Sequence, residues 1–227
     1  MSDELKAAAC RRALAHIAPG QVIGLGSGST IAIFTKLLGQ EVRSRGLDVR
    51  VIPSSHQAHY LAVENGLRIA TIDEFNAPDI AVDGADQIDR MLNMIKGGGG
   101  ALTREKILDT ASKFVVIVAD DSKLVGSLGD GFPIPVEVIP MAAMVVSKAV
   151  AGLGGHAKIR VGGGKVGPVV TDNGNFVLDV DFGAIAEPKA LEREIKLLTG
   201  VVEVGIFTGV ADLAYVAGRD GVVAISA

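Results

Sequence analysis

Short apolar runs that alternate with helix-patterned stretches restrict the fold of this chain more than any other feature. The runs fall at residues 22–23, 49–52, 67–70, 80–83 and 114–119, and their length suits buried strands. Between them lie segments with helical spacing. Cys10, Leu14 and Ile17 repeat at i, i+4 and i+7 before Pro19-Gly20 ends the first helix, and further helices are expected up to residue 38, near 56–64 and over 102–111. Strands separated by helices predict a mostly parallel sheet covered on both faces.

The pattern changes at Phe132-Pro133-Ile134-Pro135. From there the order is a strand at 134–138, a helix at 141–153 introduced by Pro140, strands at 157–161 and 176–180, a helix at 188–198 and a strand at 201–204. This is the βαββαβ order of a ferredoxin-like α+β domain. Asp172-Asn173-Gly174-Asn175 supplies turn chemistry before the 176–180 strand. Apolar runs at 213–217 and 222–225 return the chain to the first sheet. The expected organisation is therefore an α/β domain with a mostly parallel sheet over 1–129 and 206–227, with a small α+β domain inserted at 130–205.

Composition excludes several functions. No apolar run approaches the length of a membrane span, although 48% of the 227 residues are hydrophobic. The opening Met1-Ser2-Asp3-Glu4 has acids where a secretory segment carries basic residues, so a cytoplasmic protein is expected. The single Cys10 agrees with that compartment and reads as a packed small side chain. A net charge of −4 with interspersed signs, no Trp and two Tyr argue against a nucleic-acid partner.

Four strings carry chemistry. Gly24-Leu25-Gly26-Ser27-Gly28-Ser29-Thr30 lies between a strand and a helix, where glycine turns hold phosphate against helix N–H groups and hydroxyls. It is no dinucleotide fingerprint, because Ser29 stands where a third glycine would be needed, and no P-loop lysine follows. A tight turn with an N-cap would leave the same string. Asp83-Gly84-Ala85-Asp86 ends an apolar strand and projects two carboxylates at the ligand edge of an open sheet, although Asp-Gly is also ordinary turn chemistry.

Lys96-Gly97-Gly98-Gly99-Gly100 is harder to read as ordinary turn or linker chemistry. Four glycines in an ordered position lose much chain entropy and pack nothing, but they expose backbone N–H groups. Glu105 follows in the first turns of the next helix, a place where an acid also serves simply to complement the helix dipole. A carboxylate beside backbone donors is what proton abstraction next to a carbonyl requires, a base for the C–H and donors for the oxyanion. Ala119-Asp120-Asp121-Ser122-Lys123 brings a lysine to the same sheet edge, or is only a charged loop. His16, His56, His59 and His156 are scattered away from the aspartates, so no metal is expected.

With these strings, together with Ala101-Leu102-Thr103-Arg104-Glu105-Lys106, Pro135-Val136-Glu137-Val138-Ile139-Pro140 and Thr171-Asp172-Asn173-Gly174-Asn175, the chain resembles the type A ribose-5-phosphate isomerase family. The resemblance implies a Rossmann-like domain with an α/β insertion, in agreement with the strand order above, and interconversion of ribose 5-phosphate and ribulose 5-phosphate in the non-oxidative pentose phosphate pathway. It implies no cofactor, and a cytoplasmic homodimer or homotetramer whose contacts involve the small domain. It gives Glu105 the role of proton shuttle, Asp83 and Asp86 that of handling sugar hydroxyls, and Lys96 with Gly97, Gly98 and Gly99 that of polarising the substrate. Gly84 and Ala85 would line the sugar, and the phosphate would lie on Ser27, Gly28, Ser29 and Thr30 with Lys123 and Lys6.

The chain departs from the family pattern in Ser27, where many members carry Thr, and in an extra Gly162-Gly163-Gly164-Lys165. Two other readings fit parts of the pattern. One is acyl transfer with Glu105 as nucleophile, as in coenzyme A transferases, for which the chain leaves little room. The other is a sugar-phosphate sensor, for which too few residues precede the first strand to form a DNA-reading module.

Overall fold

A computed structural model describes residues 2–164 and 166–226 of the chain. Helix α1 (Ser2–Leu14) leads to strand β1 (Val22–Leu25), helix α2 (Ser29–Arg45), β2 (Arg50–Pro53), α3 (His56–Glu64) and β3 (Arg68–Ile69). Then come β4 (Ile80–Asp83), the short strands β5 (Gln87–Ile88) and β6 (Met94–Ile95), helix α4 (Leu102–Ala111), β7 (Val115–Asp120) and a single 3-10 turn over Asp121–Lys123. The remainder is β8 (Ile134–Val138), a 3-10 turn at Pro140–Ala142, α5 (Ala143–Gly152), β9 (His156–Ile159), β10 (Phe176–Asp181) and α6 (Pro188–Lys196). Strands β11 (Val201–Val204), β12 (Ile206–Phe207), β13 (Leu213–Gly218) and β14 (Gly221–Ser226) close the chain. None of the described helices is long and apolar enough to cross a membrane.

Two units result, Met1–Ala85 with Arg104–Leu124 and Gly209–Ala227, and Asp86–Thr103 with Val125–Thr208. The first is built on a seven-stranded sheet in the order β14-β13-β7-β4-β1-β2-β3. All its neighbours pair in parallel except the β13–β14 hairpin. β1 and β4 are buried along their whole length because helices cover both faces, which is why those strands read as unbroken apolar runs. Ile23 and Leu25 pack toward Phe34 and Leu38 of α2 and Ala9, Cys10 and Ala13 of α1, while Val22 on the opposite face meets Leu108 of α4. Burial raises the Cys10 thiol pKa to about 12, so this cysteine is a packed core group.

The second unit contains the antiparallel sheet β11-β8-β10-β9, the strand order of a ferredoxin-like domain, and a small sheet β12-β6-β5. Val136, Val138, Leu178 and Val180 point to the face that carries Val146 and Val150 of α5 and Ile195 of α6. Register then puts Glu137, Val177, Asp179 and Lys158 on the opposite face, since side chains alternate along each strand. Residues 86–103, 125–129 and 206–208 group with this unit, whereas the sequence reading assigns them to the first domain. The reason is local. β5 and β6 pair with each other and β6 pairs with β12, instead of extending the parallel sheet. Of the extra Gly162-Gly163-Gly164-Lys165, Lys165 lies outside the described residues.

Candidate active site

In the first unit the site begins where the sheet changes direction. From β1 the chain moves outward through β2 and β3, then returns to place β4 on the other side of β1. This is a topological switch point, where open α/β sheets bind ligands beyond the carboxyl ends of the strands. The turn after β1 occupies that point. Gly28 has φ 97°, a conformation open to glycine, and it caps α2 without a side-chain bond, so Ser29 and Thr30 begin the helix with its N–H groups directed outward. The Lys6 ammonium donates to Ser29 Oγ at 3.1 Å.

Contacts from Ser54, Ser55 and Gln57, at and just before the start of α3, shape the turn. The Ser27 hydroxyl donates to Ser55 Oγ at 2.6 Å and lies 2.9 Å from Ser54 Oγ, and Ser55 caps α3 by accepting from the Ala58 N–H. The Gly28 N–H donates to Gln57 Oε1 at 2.9 Å. Hydroxyls, an ammonium and a helix N-terminus in one place suit a phosphoryl group.

Asp83 ends β4 beside this turn and is fully buried. Its Oδ1 accepts from the Gly84 N–H at 2.6 Å and from the Ser27 N–H at 3.4 Å. Gly26 is what permits the approach, because a Cβ there would come within 1.8 Å of Asp83 Oδ1. Glu105 is buried in the first turn of α4. Leu108, one turn later on the same helix face, packs so tightly on β1 that a Cβ at Gly24 would lie 2.9 Å from its Cγ. The C-terminal end of α4 feeds the start of β7, which sets the first turn, with Glu105, toward the opposite edge of the sheet. Lys123 lies on the 3-10 turn after β7, partly exposed, with Asp120 capping that turn through the Ser122 N–H.

In the second unit, the Asp86 carboxylate accepts from the Gly98 N–H at 2.7 Å. Lys96 is buried, its N–H donates to the Gly205 carbonyl at 2.8 Å, and its ammonium lies 5.5 Å from the centroid of the Phe207 ring, a cation–π contact. Gly97 to Gly100 form a reverse turn closed by the Gly100 N–H on the Gly97 carbonyl at 2.9 Å, with φ 102° at Gly97 and 79° at Gly100. Arg160 donates to the carbonyls of Gly97 and Gly98 at 2.8 and 3.0 Å. Beyond the loop, the buried Glu137 accepts from Thr103 at the start of α4 and from Thr171, Asn173 and Asn175.

Sequence reading named the turn, both aspartates, the lysines, the glycine loop and Glu105. The structure brings Asp83 to the Ser27 turn, Lys6 to Ser29 and Asp86 to Gly98. It gives Lys123 no hydrogen bond to Ser27, Ser29 or Thr30. Ser54, Gln57 and Arg160 went unnamed, because nothing in local spacing links them to residues so distant in the chain. Glu137 carried a signal, a charge in the middle of an apolar strand, which points to burial with partners.

An open, mostly parallel sheet with a helix N-terminus and a buried carboxylate at its switch point defines an α/β protein of the kind that carries its site at that edge. More specifically, the chain belongs to the ribose 5-phosphate isomerase A (phosphoriboisomerase A) family, whose pattern matches residues 50–221. It is 51% identical over 210 residues to a ribose-5-phosphate isomerase A of Archaeoglobus fulgidus, covering 92% of each chain. Among solved structures it is similar to the enzyme of Methanocaldococcus jannaschii, with a TM-score of 0.95, 46% identity and 99% coverage of both chains. It is also similar to a D-ribose-5-phosphate isomerase in complex with phospho-erythronic acid, with a TM-score of 0.97, 41% identity and full coverage of both.

Proposed function

We infer that this chain interconverts D-ribose 5-phosphate and D-ribulose 5-phosphate through an enediolate, a step of the non-oxidative pentose phosphate pathway. The observation that carries this is the full-length likeness to an isomerase bound to phospho-erythronic acid. A carboxylate has the planar, two-oxygen shape of an enediolate, and such mimics bind where the transition state is favoured.

In this reading Glu105 takes the proton from C2 of the aldose, turning the C1 carbonyl oxygen into the enediolate oxygen, and returns it to C1, while the C2 hydroxyl proton passes to the C1 oxygen, leaving a ketone at C2 and a hydroxyl at C1. Lys96 with the Gly97, Gly98 and Gly99 backbone stabilises the negative oxygen, which is where fixed donors contribute most. Asp83 and Asp86 handle the sugar hydroxyls and ring opening, beside the backbone of Gly84 and Ala85. Ser27, Gly28, Ser29 and Thr30 hold the phosphate with Lys6 and Lys123. The hydrogen bond from Lys6 to Ser29 and the helix N-terminus support that placement. A cytoplasmic homodimer or homotetramer, with contacts through the small domain, belongs to the same proposal, and a solution mass measurement separates the two assemblies.

Glu105→Gln tests the role of the base. It keeps size and hydrogen bonding but removes proton affinity, so kcat should fall by about 10²- to 10⁴-fold while inorganic phosphate still competes with substrate. Turnover close to that of the unmodified chain would remove Glu105 from the mechanism.

A further inference from the structure

Arg160 follows β9 directly, and its N–H continues the ladder to the Val177 carbonyl at 2.8 Å. That register makes Asp179 its diagonal neighbour on β10, on the sheet face away from α5 and α6. The two form a fork-to-fork pair, Nε to Oδ2 at 3.0 Å and Nη2 to Oδ1 at 2.5 Å, with the guanidinium side chain 15% exposed. The remaining nitrogen, Nη1, donates to both the Gly97 and Gly98 carbonyls. One planar group therefore grips a carboxylate with one edge and two consecutive peptide units with the other, which a lysine cannot do.

The consequence lies on the far side of those peptides. A trans peptide is planar, so fixing the carbonyl of one residue fixes the N–H of the next in the opposite direction. Holding the Gly97 carbonyl sets the Gly98 N–H, which meets Asp86 at 2.7 Å, and holding the Gly98 carbonyl sets the Gly99 N–H. Glycine otherwise gives this loop wide backbone freedom, which would cost reorganisation each time charge develops.

We propose that Arg160, aligned by Asp179, is a positioning residue for the isomerase, holding the Gly98 N–H on Asp86 and presetting the Gly99 backbone donor for the anionic intermediate; this rests on the isomerase reading above. Arg160 acts through the loop, so its loss lowers kcat more than it raises KM.

The test uses the full chain with Arg160→Met, Arg160→Lys and Asp179→Asn, measuring kcat and KM for ribose 5-phosphate and amide hydrogen exchange at Gly98 and Gly100 in the free protein. Arg160→Met should lose about 10- to 10²-fold in kcat with KM within about 3-fold, a loss of transition-state donors without loss of ground-state binding. Exchange at the two glycines should speed up about 10-fold or more, with the rest of the unit unchanged. Arg160→Lys should not rescue, and Asp179→Asn should lose less than Arg160→Met and add nothing to it in the double variant. If Arg160→Met does not fold, the lysine and asparagine variants decide in the same way. Variants with kcat within about 2-fold of the unmodified chain overturn the proposal. An unmodified chain without isomerase activity overturns the functional reading instead, and glycine exchange alone then decides whether Arg160 holds the loop.

Discussion

Gly26 sets how closely the turn after β1 approaches Asp83, and it does so by lacking a single carbon atom. The fully buried Asp83 carboxylate is held by the Gly84 and Ser27 N–H groups and fills the space where a Cβ would stand. Gly26→Ala must therefore push either the carboxylate or the turn aside. Overpacking of this kind costs about 1–3 kcal/mol, and misplacing a reacting group by about 1 Å can cost on the order of 10²-fold in rate. We expect kcat/KM to fall by about 10²-fold with a lowered Tm, both readable from one purified variant. A variant with unchanged kcat/KM would show that the packing of Gly26 on Asp83 has no part in catalysis. At this scale the sequence was informative about residue types and silent about pairings. Asp83 and the serine turn were each legible as strings at strand ends, but no periodicity shows that β1 and β4 are neighbours. Arg160 lay hidden for a stronger form of the same reason, being 63 positions from Gly97.

Among the elements, five were legible to the residue, whereas α2 runs to Arg45, well past the expected residue 38, and α6, β7 and β9 differ from their expected bounds by one or two residues. Helices α3 and α4 and strands β4, β8 and β11 have the bounds that the sequence predicts. β5, β6 and β12, two residues each, were not, because a two-residue strand has no alternation to read. The expected helix over 141–153 starts two residues later, after a 3-10 turn at Pro140–Ala142, where proline fixes the entry but cannot donate. The opposite edge of the parallel sheet carries a device of its own. Asp79, just before β4, accepts from the Lys113 ammonium at 2.7 Å and from the β1 residue Val22 N–H at 2.9 Å. The lysine first, then the backbone N–H, hold its pKa below the usual aspartate value. A depressed acid contributes stability that is present above its unfolded pKa of about 4 and lost as pH falls through its folded one. Asp79→Asn should therefore cost no more than about 1 kcal/mol at pH 7, given the exposure of the pair, and should flatten the loss of stability below pH 4 in urea titrations. An acid limb identical to that of the unmodified chain would contradict this account of the edge.

Across the whole molecule, the residues proposed for chemistry fall on two sheet systems. The parallel sheet carries the Ser27 to Thr30 turn, Asp83, Glu105, Lys6 and Lys123, and the second unit carries Asp86, Lys96 and the glycine loop. Their grouping along the chain was legible because each string sits at an element boundary. Their support was not, since Arg160, Asp179 and Glu137 act through strand register that only pairing reveals. The central claim is that this set moves a proton between two carbons of one sugar phosphate. The most direct measurement is the conversion of ribose 5-phosphate by the purified full chain, followed by NMR. We predict ribulose 5-phosphate at a turnover of at least about 1 s⁻¹, the ordinary range for an enzyme on its own substrate. Saturable binding of ribose 5-phosphate with no ribulose 5-phosphate formed would contradict the account and leave a sugar-phosphate binding protein in its place.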